Sequence, residues 1–153
     1  MPLNLPLSFA LKTVAANKST VALVTGCFDL LHPGHIKFLH FAASKANKLL
    51  VGVESDQLVS RHKTCSRPIF PAKDRLLILS ELKSITKVFL IKPNTDYQKL
   101  LKRLKIDYLI ISRNDNFYKE KHHICQNLGI KLIVYPRLSP YSTTGLIKKI
   151  KTG

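Results

Sequence analysis

The chain has 153 residues, of which 45% are hydrophobic and 22% are charged. This length and balance are typical of one globular domain with a substantial core, and they argue against a disordered or fibrous protein. The formal net charge of +16 favours anionic partners, namely nucleotides, nucleic acid or anionic membrane surfaces. No apolar run reaches the roughly 18 residues that a spanning helix needs, so we expect no membrane span.

The cysteines and the N-terminal segment indicate the cellular compartment of the protein. Cys27, Cys65 and Cys125 are odd in number and lack C-x-x-C spacing, which favours a reduced, cytoplasmic compartment over a disulfide framework. The first residues carry prolines and no charged stretch, so they make a poor signal peptide. We predict a single domain over residues 1–153, with a core over about 20–151 and an N-terminal helical leader over 1–19 whose helix covers 7–16.

Apolar runs and helical periods alternate along the rest of the chain. The prolines and absent period of residues 61–71 predict a loop. The predicted strands cover residues 20–25, 48–54, 87–91, 108–112 and 130–135. The predicted helices cover residues 34–46, 72–83, 96–104, 117–128 and 143–151, with a short helix starting at Ser55 and Asp56. This order predicts an α/β fold, a single Rossmann-like open sheet of about five parallel strands with helices on both faces, and ligand outside the carboxyl ends of the strands.

Residues 25–35, T-G-C-F-D-L-L-H-P-G-H, form the turn between the first predicted strand and its helix. Gly26 and Gly34 allow backbone to approach a ligand closely. The N–H groups and dipole of the helix start favour an anion. His32 and His35 are three residues apart, so in a helix they share one face. The pattern predicts a donor cluster suited to phosphate.

Four basic residues lie close together in one predicted loop, and another lies at the start of the next predicted helix. The loop contains Arg61, His62, Lys63 and Arg67. On spacing alone, a solvated basic loop with no role in binding is the favoured interpretation. Arg75 lies at the start of the next predicted helix. It could bind an anion there, or it could be an exposed helix charge paired with Asp74 or Glu81, which would contribute little. Near the C-terminus, Ser142 is a natural N-cap for the last helix.

The string G-C-F-D-L-L-H-P-G-H resembles the cytidylyltransferase-like nucleotidylyltransferases, whose signature is this H-x-G-H turn, and is similar to the heptose-1-phosphate adenylyltransferases in particular. The S-R-P-x-x-P loop and the tail S-T-T-G-L-I-K-K-I resemble the same enzymes. The resemblance implies nucleotidyl transfer from ATP or CTP to a sugar or polyol phosphate, with release of pyrophosphate and Mg²⁺ as cofactor. The implied partners are the nucleotide, a phosphorylated small-molecule acceptor and a second copy of the chain in a homodimer.

The resemblance also implies roles for individual residues. His32, His35 and Lys63 are the implied catalytic residues, and Arg67 and Arg137 are the implied contacts to the acceptor. The implied nucleotide-binding residues are Gly26, Cys27, Phe28, Asp29, Gly34, Arg75, Asp115, Ser142, Thr143 and Thr144. No residue is expected to ligate a resident metal. The attacking phosphate oxygen is already an anion, so this chemistry needs alignment and charge stabilisation rather than a general base.

Two alternative functions are also compatible with the sequence. Asn114 stands where relatives have the glycine of a Gly-Asp pair, in a loop over residues 112–117 that lines the nucleobase pocket in the family. Pro136 and Arg137 resemble the glycerol-3-phosphate cytidylyltransferases, so a cytidylyltransferase acting on an alcohol phosphate is the first alternative. A basic nucleic-acid-binding or non-catalytic nucleotide-binding protein is the second. Because the charges are dispersed and not interleaved with aromatic residues, we expect no specific nucleic acid.

Overall fold

The computed structural model of the protein describes residues 19–63, 66–136 and 140–153. Five strands form one parallel sheet in the order β3-β2-β1-β4-β5. The strands are β1 (Val21–Gly26), β2 (Lys48–Glu54), β3 (Lys87–Ile91), β4 (Tyr108–Ser112) and β5 (Lys131–Tyr135). The predicted α/β fold is confirmed, whereas the predicted leader helix over residues 7–16 lies outside the described residues.

Helices cover both faces of the sheet. Within the described ranges they are α1 (Pro33–Ala43), α2 (Asp56–His62), α3 (Ala72–Ser80), α4 (Tyr97–Leu104), α5 (Tyr118–Leu128) and α6 (Thr143–Thr152). Leu39 of α1 and Leu79 of α3 pack with Val24 on one face. Leu101 of α4 and Ile124 of α5 pack with Leu23 on the other. Because successive side chains of a strand point to opposite faces, β1 is buried on both sides at Ala22, Leu23 and Val24, where it is apolar.

The order of the strands places a crevice between β1 and β4. The chain proceeds from β1 to β2 and β3 on one side, then returns to place β4 and β5 on the other. β1 pairs with β2 over the whole of Val21–Gly26, but it pairs with β4 only at Ala22 and Leu23. The carboxyl ends of β1 and β4 are therefore not hydrogen-bonded to each other. This is the switch point at which open α/β sheets bind their ligands.

Two helices end three residues earlier than predicted, and one continues into a predicted loop. α1 ends at Ala43 because Ser44 caps it, and the Ser44 hydroxyl donates to the carbonyl of Phe41 at 2.7 Å. α3 similarly ends at Ser80, whose hydroxyl donates to the carbonyl of Leu77. α2 continues through His62, two residues into the predicted loop. In the parts of the chain described, no helix is long and apolar enough to cross a membrane.

Candidate active site

The turn between β1 and α1 combines left-handed backbone with a capped helix start. Phe28 and Leu30 have φ values of 51° and 47°, a region that residues with a side chain adopt only at some cost. His32 is the N-cap of α1, and its Nδ1 accepts a hydrogen bond from the N–H of Gly34 at 3.1 Å. Nδ1 must therefore keep its lone pair, so the neutral imidazole carries its proton on Nε2. The cap fixes which nitrogen of His32 is the donor.

The two histidines of the H-x-G-H turn stack on each other. Their ring centroids are 3.8 Å apart, with 20° between the ring planes. Phe28 packs at an angle against His35, with 5.5 Å between centroids. His32 is buried, and His35 packs against both His32 and Phe28, so packing as well as the helix start holds the two imidazoles. The structure thus brings together the pair that the three-residue spacing predicts to share one face.

Asp29 anchors this turn to the loop that follows α2. Its side chain is buried, and its carboxylate accepts hydrogen bonds from Arg67 Nε at 3.0 Å and from the N–H groups of Ile69 and Phe70 at 2.8 and 3.0 Å. Burial alone would raise the pKa of Asp29, but the two N–H donors and the Arg67 guanidinium outweigh burial and lower that pKa below its ordinary value. The carboxylate is therefore an ionised structural acceptor.

The start of α6 meets the same turn from the other end of the chain. Ser142 is its N-cap and accepts from the N–H of Gly145 at 3.0 Å, as the sequence predicts. The hydroxyl of Thr143 donates to the backbone carbonyl of Asp29 at 2.8 Å in a buried contact. The amides of Thr143 and Thr144 belong to the first helical turn, where the helix itself offers no acceptor. Together with the helix dipole, they favour an anion.

One cavity of about 510 Å³ joins these features. Its volume is within the range of small-molecule sites. The predicted site residues that line it are Gly26, Cys27, Phe28, Asp29, His32, Gly34, His35, Lys63, Ser142, Thr143 and Thr144. Five further lining residues were not predicted individually, although the first and third lie in the predicted turn 25–35 and nucleobase loop 112–117, namely Thr25, Phe38, Ser112, Tyr135 and Tyr141. A signal existed for three of these, since Thr25, Ser112 and Tyr135 lie at the carboxyl ends of strands, where ligands of such sheets bind.

The cavity is electropositive in its described lining. His32, His35 and Lys63 face it together with the starts of α1 and α6. The one acidic residue of that lining is Asp29, whose charge is compensated by Arg67. In the described ranges, no group of three or more His, Cys, Asp or Glu side chains could hold a metal ion. The arrangement suits a polyanion such as a triphosphate.

Arg75, predicted to contact nucleotide phosphates, lies beneath the site and not in its lining. The whole residue is 1% exposed. Its nitrogens donate to the carbonyls of Phe70 and Cys27 at 2.9 and 2.6 Å and to the Asp56 carboxylate at 2.7 Å. Arg67, predicted to bind the acceptor, is likewise buried against Asp29 and outside the lining. The structure places both guanidinium groups against protein partners.

Cys27 lines the cavity as a neutral thiol. Burial raises the pKa of this thiol above its ordinary value, and the opposing influence of the Lys63 and Arg75 charges does not cancel that rise. Cys27 therefore has little thiolate character at neutral pH. Its surroundings suit packing against a ligand rather than nucleophilic attack.

Asp115, predicted to bind the nucleotide, also has protein partners. Its carboxylate accepts from Lys121 Nζ at 2.8 Å and from the N–H of Phe117 at 2.8 Å. Lys121 in turn reaches the hydroxyl of Thr25 at 3.4 Å. Lys121 is not among the predicted site residues. Its position one turn before the buried Ile124 was the available signal that it lies on the packed face of α5. Arg137 lies outside the described residues.

Comparison with known proteins identifies the family. The model of the Cytidylyltransferase-like family matches residues 23–149, which is more than half of the chain. The chain belongs to the cytidylyltransferase-like family. The bifunctional protein HldE of Helicobacter pylori strain G27 is 35% identical over 150 residues, which cover 98% of this chain and 32% of that protein. The HldE of Sulfurimonas denitrificans is 37% identical over 131 residues, or 86% of this chain and 27% of that protein.

Solved structures of similar fold agree with this assignment. A lipopolysaccharide core biosynthesis protein from Thermoplasma volcanium has a TM-score of 0.66 and 29% identity, with 81% of this chain and 99% of that chain covered. A pantoate-beta-alanine ligase from Francisella tularensis, at 16% identity and a TM-score of 0.58, shares the fold. The chain spans about a third of the length of the HldE relatives. The predicted family is confirmed, and with it a nucleotidyltransferase enzyme at the level of that family.

Proposed function

We propose that this cytidylyltransferase-like chain transfers an adenylyl group from ATP to a heptose-like sugar 1-phosphate and releases pyrophosphate. One observation carries the proposal. The stacked His32 and His35 and the start of α6 line a single cavity, and the bond from Thr143 to the Asp29 carbonyl holds these parts together. The similarity of G-C-F-D-L-L-H-P-G-H to the adenylyltransferases supports ATP. The Thermoplasma relative, described as a lipopolysaccharide core biosynthesis protein, supports a sugar acceptor.

In the proposed reaction, a phosphate oxygen of the acceptor attacks the α-phosphorus of ATP. The bond to the β-phosphate bridging oxygen breaks, and the electron pair leaves with pyrophosphate. Since the nucleophile is already charged, the protein supplies alignment and charge stabilisation. The Nε2–H of His32, the His35 imidazole and Lys63 act as fixed or mobile donors around the α-phosphate. The amides at the start of α6 hold the outer phosphates.

Mg²⁺ belongs to the nucleotide substrate in this proposal. The described lining offers the Asp29 carboxylate, whose oxygens already accept three hydrogen bonds, so the residues present do not form a cage for a resident ion. Mg²⁺ commonly keeps several waters and is bound through substrate phosphates. Bound to the triphosphate, it neutralises part of the charge on the phosphates.

Calorimetric titration with ATP and CTP, each with Mg²⁺, tests the choice of base. A site that hydrogen-bonds the edge of one base leaves buried polar groups without partners when the other base binds, which can discriminate by about 10⁴-fold. We therefore expect clear binding of ATP and nearly none of CTP. Tighter binding of CTP would mean that the transferred group is cytidylyl and not adenylyl. Binding of neither nucleotide would contradict the proposal.

Two further expectations accompany the proposed activity, namely a homodimer and a cytoplasmic location. Sedimentation equilibrium of the purified chain at several concentrations measures the first, and a mass equal to one chain at every concentration would contradict it. Fractionation of cells that contain the protein measures the second. Recovery with the membrane fraction would contradict the expected location.

A further inference from the structure

A buried lysine lies beside the cavity, and the proposed reaction does not use it. Lys121 of α5 is 9% exposed. Its Nζ donates to the Asp115 carboxylate at 2.8 Å and to the Thr25 hydroxyl at 3.4 Å, and it lies 5.7 Å from the centre of the Tyr97 ring. Lysine is almost never buried in this way unless it is paired, because removing an ammonium from water is costly. The position therefore reflects a specific requirement of this region.

The partners of Lys121 come from the two sides of the crevice. Thr25 is at the end of β1 and lines the cavity, while Asp115 follows β4. β1 and β4 pair only at Ala22 and Leu23, so no backbone hydrogen bonds join their carboxyl ends. The Lys121 side chain spans this gap. It fixes the loop over residues 112–117 relative to the strand that carries the phosphate-binding turn.

Lys121 also determines whether the Asp115 carboxylate is available to a ligand. One carboxylate oxygen accepts from Lys121 and the other accepts from the N–H of Phe117, so both oxygens have protein donors. Burial raises the pKa of the neighbouring Tyr97, which keeps its phenol neutral and adds no charge. The pair is thus neutral overall. Without Lys121, a carboxylate with no compensating cation would lie close to a site that binds a triphosphate.

We infer that Lys121 is a positioning and specificity-determining residue. It holds the 112–117 loop and the Thr25 hydroxyl in the geometry that recognises the nucleobase. It also keeps the Asp115 carboxylate from direct contact with the ligand. The inference rests on the proposed function, because it takes the ligand to be a nucleotide. It assigns base recognition to loop backbone and hydroxyl groups rather than to the Asp115 carboxylate.

The test compares Lys121→Met and Lys121→Arg with the matched control Lys119→Met, which removes an exposed lysine of the same helix. Lys121→Met should raise the KM for ATP about tenfold, the effect of one lost charged hydrogen bond, with kcat nearly unchanged. The ratio of ATP to CTP affinity should fall by a similar factor. Lys121→Arg should restore both quantities, because a guanidinium can still bridge Asp115 and Thr25, and Lys119→Met should match wild type.

Hydrogen exchange without nucleotide separates this inference from the proposed function. In Lys121→Met, the amides of Asp115 and Phe117 should exchange about tenfold faster than in wild type, the ratio expected for the same lost contact. If wild type binds neither ATP nor CTP, the proposed function fails, while exchange still decides whether Lys121 positions the loop. Unchanged exchange, or an unchanged KM and base preference in Lys121→Met, overturns the inference even if the melting temperature falls.

A double variant keeps the test decisive if Lys121→Met does not fold. Lys121→Met combined with Asp115→Asn removes both charges together and leaves side chains of similar size, which avoids an unpaired buried carboxylate. This variant should fold and still show the reduced ratio of ATP to CTP affinity. A wild-type ratio in the double variant would contradict the inference.

Discussion

Replacement of Arg75 distinguishes a structural role from a phosphate-binding role. The sequence pattern predicts a contact to nucleotide phosphate, whereas the structure buries the guanidinium and directs it at the carbonyls of Phe70 and Cys27 and at Asp56. We expect Arg75→Ala to destabilise the fold strongly. The reason is that the guanidinium joins the phosphate-binding turn, the loop after α2 and the start of α2 through one side chain.

The size of the destabilisation in Arg75→Ala follows from the buried carbonyls that lose the guanidinium as a hydrogen-bond donor. Each buried carbonyl left without its hydrogen bond costs about 1–3 kcal/mol, so the carbonyls of Phe70 and Cys27 give a loss of about 2–6 kcal/mol in the free energy of unfolding. The Asp56 side chain is half exposed, so its ion pair adds little after solvent screening. Arg75→Lys should lose less, because its single ammonium can replace part of these bonds.

Urea unfolding followed by circular dichroism measures this prediction, with Lys73→Ala as the matched control in the same helix. Lys73 is exposed, so its removal should change the free energy of unfolding by no more than about 0.5 kcal/mol. Calorimetry on folded Arg75→Lys should show nucleotide affinity close to that of wild type. Wild-type stability of Arg75→Ala combined with lost nucleotide binding would refute the structural reasoning and restore the predicted phosphate contact.

Three other predictions follow from the site and the charge. The pKa of Asp29 is lowered by folding, so its stabilising contribution is present above its unfolded pKa of about 3.9 and lost as pH falls through the folded value. Asp29→Asn should therefore have a lower free energy of unfolding than wild type at pH 7. In urea titrations below about pH 4, its free energy of unfolding should fall less steeply with pH than that of wild type. An equal pH dependence in the two proteins would contradict this prediction. His32→Ala and His35→Ala should each lower kcat by about 10²-fold or more with little change in nucleotide Kd, whereas the exposed His40→Ala should not, and an unchanged kcat in both would reject the donor role. Duplex DNA should bind only at about 10⁻⁴ to 10⁻⁶ M at physiological salt in a filter or anisotropy assay, and a sequence-selective nanomolar complex would favour the nucleic-acid reading.

The strands and the helix starts could be predicted from sequence for definite physical reasons. Parallel strands buried on both faces are continuous apolar runs, and β1, β2 and β4 have that character. Ser142 was recognisable as an N-cap because its hydroxyl is suited to a first-turn amide. The end of α1 was not predictable from its apolar period. It depends on the Ser44 hydroxyl, which binds the Phe41 carbonyl and competes with a further helical turn.

Part of the site follows from local spacing and part does not. His32 is the N-cap of α1 and His35 lies in its first turn, so this short helix start brings the two rings together and their proximity follows from local sequence. The partners of Arg75 and Arg67 are different in kind, because Asp56 and Asp29 are far away in sequence and meet them only through the tertiary fold. A motif therefore indicates that such a charge is needed near the site without showing whether it faces the ligand or supports the backbone.

Pyrophosphate release across a panel of nucleotides and phosphorylated acceptors tests the central claim most directly. The panel combines ATP and CTP, each with Mg²⁺, with sugar 1-phosphates and polyol phosphates, and it includes His40→Ala as an active control. We predict that ATP with a heptose-like sugar 1-phosphate releases one pyrophosphate for each nucleoside diphosphate sugar formed, and that His35→Ala lowers the rate. A folded chain that binds nucleotide but releases no pyrophosphate with any pair would contradict the account and leave a non-catalytic nucleotide-binding protein.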